Sequence, residues 1–138
     1  MTRHNPVDLH ATSGYHHVTI VEGRRLVLLA GQCPLAADAD PDSATAVTGR
    51  GDLDVQVDQV ATNTSIALGA AGATPADVIR AVLYVASSDP AVLGTAWDRF
   101  LASTIGPAFH SAGTVVGVTC LGYPGQLVEL DVTAAVED

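Results

Sequence analysis

Between Leu127 and Val132 the chain alternates apolar and polar residues with a period of two. That pattern suits an extended strand with one covered face. Val128, Leu130 and Val132 share one side of it, and Leu127, Glu129 and Asp131 share the other. An earlier apolar run, Gly113–Val118, is separated from it by the turn-rich Leu121-Gly122-Tyr123-Pro124-Gly125, so the two runs read as a hairpin. The apolar face must meet a core. Glu129 then leaves mid-strand on the opposite side, beside Leu127. A carboxylate held by a rigid strand is a candidate water-activating group; the plainer reading is a solvated outer face.

The rest of the chain supplies what that strand packs against. Residues 1–14 read as a polar N-terminal tail, and residues 15–138 as one domain. Alternation begins at Tyr15, with Tyr15, His17 and Thr19 on one side. Glu22-Gly23-Arg24 is a turn, and Leu26–Ala30 is a second strand pairing back as a hairpin. Gly31 follows, at a strand end where close backbone approach is expected. Residues 34–50 are a loop with a short edge strand near Thr45–Thr48. A 3.6-residue stripe from Leu53 through Val57, Val60, Ala61, Thr64 and Leu68 predicts a helix opened at Asp52 and stopped at Gly72. Asp52, Asp54 and Asp58 favour its N-terminal dipole. Thr74-Pro75 starts a short helical turn, and Val78–Val85 is a strand. Asp89-Pro90 caps a second helix that buries Val92, Leu93, Ala96, Trp97, Phe100 and Leu101. Gly106-Pro107 ends it.

The resulting order is β-β-α-β-α-β-β. Two amphipathic helices cover one face of such a sheet. The other face carries Tyr15, His17, Thr19, Arg80, Val82, Tyr84, Leu127, Glu129 and Asp131. It is too mixed for an internal core and too apolar to stay bare, which suits a subunit interface.

Composition narrows the functions. A net charge of −9, with six arginine and lysine residues in all, offers no phosphate footprint for nucleic acid and no attraction to anionic membranes. No apolar run approaches the roughly 20 residues of a membrane helix, and Met1–Pro6 lacks a signal-peptide core, so the expected location is cytoplasmic. There Cys33 and Cys120, far apart and outside any CxxC unit, stay reduced. His4, His10, His16, His17 and His110 show no metal-ligand spacing, and no metal is expected.

Five phrases in this order resemble the RidA (YjgF-type) family. They are Leu26–Leu35 (LVLLAGQCPL), Asp58–Ala73 (DQVATNTSIALGAAGA), Thr74–Asp89 (TPADVIRAVLYVASSD), Ala96–Leu101 (AWDRFL) and Val116–Ala134 (VGVTCLGYPGQLVELDVTA). The resemblance implies a chorismate-mutase-like α+β fold, a mixed sheet with two helices on one face. It implies a homotrimer with small-molecule sites in clefts between subunits. It also implies hydrolysis of 2-imino or 2-enamino acids to 2-keto acids and ammonia, without cofactor or metal. The family's strand tyrosine matches Tyr15, its loop glycine Gly31, and its water-holding glutamate Glu129. Its substrate-binding arginine, in a phrase like PARTTVGV, falls on Gly113. The chain is in this respect an atypical member.

A guanidinium fork grips a carboxylate by two charge-assisted hydrogen bonds. Glycine leaves that place empty, so the expected substrate is itself atypical. His110, three residues before Gly113, is a candidate substitute cation, though mostly neutral at pH 7. His17, Tyr123 and Cys120 are further candidates to line the cleft. Plainer roles for them are an interface hydrogen bond for His17, a loop histidine for His110, and a small buried residue for Cys120. Three function classes follow. One is an imine or enamine hydrolase. The second is a different reaction in the same cleft, such as cyclisation or dehydration. The third is a non-catalytic trimer that binds a small metabolite or a protein partner. The older family label of endoribonuclease fits the charge poorly.

Overall fold

A computed structural model describes residues 1–12 and 14–137. Among the described residues these elements form: β1 (Thr2–His4), β2 (Val18–Ile20), β3 (Arg25–Leu28), α1 (Leu53–Ala70), β4 (Val78–Val85), α2 (Pro90–Leu101), β5 (Ala112–Gly117) and β6 (Val128–Val136). Single 3₁₀ turns at Pro75–Asp77 and Gly106–His110 introduce β4 and β5. The fold is α+β, with both helices packed on one side of a four-stranded sheet of order β3-β6-β4-β5. β5 runs parallel to β4, and the other neighbours are antiparallel.

The alternation in β6 sets the layers. Val128, Leu130, Val132 and Ala134 are buried beneath the helices, together with Ala81, Leu83 and Val85 of β4, Val57, Val60 and Leu68 of α1, and Phe100 of α2. Lateral partners share a face in a sheet. Pairing Leu83 with Leu130 joins two core residues, while pairing Tyr84 with Glu129 and Val82 with Asp131 puts four side chains on the outer face. Leu26 and Leu28 of β3 stand 53% and 73% exposed, an apolar contribution unusual for a face left to water.

Neither expected hairpin forms among the described residues. β4 inserts between the two C-terminal runs: β5 pairs with β4, and β6 lies on the far side of β4. Likewise β3 pairs with β6, and β2 pairs with β1. Periodicity identifies strands but carries no information about which strands meet. Thr2–His4, read in the sequence as tail, is thus a strand. It is anchored by Arg3, whose guanidinium donates to Ala76 O at 2.8 Å and Val78 O at 3.0 Å. The loop before α1 makes one bridge, Leu35 with Val47.

Asp52 caps α1 by accepting from Val55 N at 3.1 Å, and Gly72 takes the positive φ of 72° that ends the helix. Asp89 caps α2 through Ala91 N. Asp54 and Asp58 do more than balance a dipole: they hold Arg99 of α2, with Asp58 at 2.7 Å and Asp54 at 3.4 Å. The helical stripe of α1 omits one buried residue, Gln56. Its amide donates to Gly49 O and Gly125 O and accepts from Leu127 N at 2.7 Å. One side chain thereby fastens the start of α1 to the turn that launches β6.

Replacing Gln56 with leucine removes the side-chain partners of Gly125 O and Leu127 N–H, while Gly49 O keeps the Asp52 N–H. Each costs about 1–3 kcal/mol when dehydrated and unmet. The variant is expected to lose at least about 2 kcal/mol in urea unfolding, with an unchanged slope. A loss under about 0.5 kcal/mol would show that water replaces the amide.

Candidate active site

Glu129 stands in the middle of β6 on the outer face and is half-buried. Gln32 bridges to Leu130, which brings Gly31 alongside it. The approach is so close that a β-carbon on Gly31 would overlap Glu129 Oε1 and come within 3.0 Å of its carboxyl carbon. Any side chain here would have to displace the carboxylate, which occupies its place. The other carboxylate oxygen accepts from Gln126 Nε2 at 3.2 Å. Gln126 is itself buried and also donates to Val128 O at 3.0 Å, so its amide cannot swing freely. Glu129, Gly31, Tyr84, Leu121, Leu29 and Asp131 line a cavity of about 360 Å³.

The position expected to hold arginine is built differently. Gly113 pairs with Ala81, a core residue, and so faces the helices rather than the outer side. A β-carbon on it would come within 2.8 Å of Trp97 Cη2. The expectation of an empty space is therefore corrected: the indole of α2 fills it. Trp97 is held from behind by Phe109, edge to face at 4.9 Å and 89°. Tyr15, Gly94, Trp97, Gly113, Thr114 and Val115 line a second cavity of about 380 Å³ along the open edge of the sheet.

The chain thus brings Gly31 to Glu129, and Tyr15 to Gly113, in two separate cavities. The remaining candidates lie apart from these linings. His17 is tied to the N-terminal segment: its backbone N–H donates to Asn5 Oδ1 at 2.7 Å, its ring nitrogen contacts His10 O at 2.9 Å, and its ring meets Tyr15 edge-on at 5.7 Å. His110 is exposed at the end of its 3₁₀ turn, and its carbonyl contacts the His16 ring. Tyr123 shapes the turn before β6, its backbone N–H donating to Gln126 Oε1 at 3.1 Å. Cys120, read as a small buried residue, is exposed and lies beyond the end of β5.

Sequence reasoning passed over Cys33 and Gln126. Cys33 is two residues past Gly31 and half-buried beside Glu129. Burial, followed by the negative charge of Glu129, pushes its thiol up to about 11, while a contact with Gln126 opposes the rise. The signal for Cys33 was its spacing from Gly31, which returns it to the same side of an extended segment. For Gln126 no periodic signal exists, because it precedes the strand. Among the described residues no three His, Cys, Asp or Glu side chains gather as a metal site requires, and no helix is long and apolar enough to cross a membrane.

These features match a known family. The sequence model described as Endoribonuclease L-PSP matches residues 6–136, and the chain belongs to that family, the RidA/YjgF proteins. Among solved structures it is similar to YyfB from Yersinia pestis, a protein of unknown function of the conserved Rid protein family. The identity is 29%, with 98% of each chain covered and a TM-score of 0.81. It is also similar to Rv2704 from Mycobacterium tuberculosis, of the YjgF/YER057c/UK114 family, at 28% identity over 89% of this chain and 87% of that one, with a TM-score of 0.62. RidA from an Antarctic Psychrobacter is 25% identical over 99% and 97%, with a TM-score of 0.61. A search of curated proteins found no match.

The two cysteines are expected to separate in reactivity. In a Cys120→Ser background, Cys33 should react with iodoacetamide slowly at pH 8 and speed up towards pH 11, because the thiolate is the nucleophile. Removing the carboxylate charge in Glu129→Gln should move that rise to lower pH. Rapid labelling at pH 8, or no movement in Glu129→Gln, would contradict the placement of the thiol beside the carboxylate.

Proposed function

We propose that the protein hydrolyses reactive imines or enamines, and that Glu129 holds and polarises the attacking water. The observation that carries this reading is the seating of the carboxylate. It is pressed against the bare backbone of Gly31, fixed by Gln126, and aimed into a cavity. A general base needs that kind of restraint. In the reaction, water adds to the C=N carbon as Glu129 takes its proton. That proton passes to the imine nitrogen to give the carbinolamine, which collapses as its hydroxyl proton is relayed to the same nitrogen, and ammonia leaves with a carbonyl product; an enamine first tautomerises to the imine. No cofactor or metal takes part in this scheme.

Tyr15 and Glu129 line different cavities of one chain. The complete site in this proposal therefore forms where the edge of one subunit meets the outer face of another, as the family's trimers imply. The exposed Leu26 and Leu28 support a covered outer face. The charge of −9 argues against RNA as the substrate, whatever the family's descriptive name. The proposed setting is cytoplasmic. Gly113 favours a second reading, in which an atypical cleft serves a cyclisation or dehydration, or binds a metabolite without turnover.

The deciding experiment measures ammonia and keto-acid release from freshly generated 2-iminopropionate. Wild type is expected to be active, and Glu129→Gln to lose roughly 100-fold or more. Gly31→Ala should lose about 10-fold by displacing the carboxylate, a misplacement effect, with little change in melting temperature. An undiminished Glu129→Gln, or a wild type inactive both on this substrate and on 2-imino-3-phenylpropionate, would overturn the hydrolase reading.

A further inference from the structure

We propose that the cavity along the β5 edge binds a flat apolar ring of the substrate, packed against Trp97. This rests on the reading of the cleft as a substrate site and assigns the substrate class. None of the residues lining that cavity is charged: Tyr15, Gly94, Trp97, Gly113, Thr114 and Val115. The position that would carry a guanidinium is closed to one, because even a β-carbon at Gly113 comes within 2.8 Å of the indole. An arginine there requires Trp97 to shift. Trp97 is not free to do so easily: it is edge-packed on Phe109, which in turn stacks on the fully buried Phe100 at 5.4 Å.

A second glycine keeps the indole accessible. Gly94 sits inside α2 one turn before Trp97, where glycine costs a helix about 1 kcal/mol relative to alanine. A β-carbon at Gly94 meets nothing within 4 Å, so no packing neighbour demands the small residue. The space it leaves belongs to the cavity. Two missing side chains thus frame one tryptophan and one tyrosine in about 380 Å³, a volume suited to a small ring. Aromatic walls recognise a ring through dispersion and edge-to-face contacts, without a counter-charge.

Trp97 is the sole tryptophan, so its indole N–H gives one side-chain signal in a ¹H–¹⁵N spectrum of the full chain. Titration with benzyl alcohol is expected to shift that signal saturably in the millimolar range, and sodium acetate to leave it in place. Gly94→Leu fills the cavity from a position with open space and should weaken benzyl alcohol at least tenfold, with Gly94→Ala falling between. No saturable shift with benzyl alcohol, a larger response to acetate, or a Gly94→Leu affinity equal to wild type would each overturn the proposal. The readout is binding alone, so it stands or falls separately from hydrolysis by Glu129.

Discussion

The antiparallel pairing of β4 with β6 is the constraint on which the rest of the molecule depends. Its register sets Leu83 against Leu130 inside and Tyr84 against Glu129 outside. A slip of one residue would turn Glu129 into the core and Leu130 out to the solvent side. An unpaired carboxylate there is too costly to tolerate. The core beneath β4 and β6 and the carboxylate above them are therefore two results of one alignment. Gln56 reinforces it by tying α1 to the turn that delivers Leu127.

Two glycines express opposite relations to the chemistry. At Gly31 the absent side chain admits the Glu129 carboxylate. At Gly113 the absent side chain admits the Trp97 ring. In the proposed reaction the first seats the water-activating group. The second puts aromatic carbon where the family resemblance leads one to expect a cation. Cys33 belongs to the first group: beside Glu129 its thiol keeps its proton at neutral pH and acts as a neutral neighbour, not a nucleophile.

Local features were legible in the sequence wherever a short-range pattern carries them. The faces of β6, the caps Asp52 and Asp89, the stop at Gly72 and the core residues of both helices all follow from neighbours a few positions apart. Which strands pair did not follow. The β5 and β6 runs look like a hairpin because a turn lies between them, but β4 separates them, a long-range choice made by the whole core. The same limit applies at the site. Gly31 and Glu129 were identifiable, yet the contact of Gly113 with Trp97 needed the crossing of α2 over β5. Gln56 escaped the helical stripe because burial of a polar residue is explained only by its partners, Gly49, Gly125 and Leu127.

The central claim is that Tyr15 and Glu129, held in separate cavities of one chain, act together across a subunit boundary. The most direct test is subunit complementation. Tyr15→Phe and Glu129→Gln proteins, each impaired alone, are unfolded together, refolded as mixed oligomers and assayed for imine hydrolysis. Random assembly of cross-subunit sites should restore on the order of a quarter of wild-type activity, since about one interface in four receives both native residues. Mixed oligomers that form and recover nothing would contradict the claim.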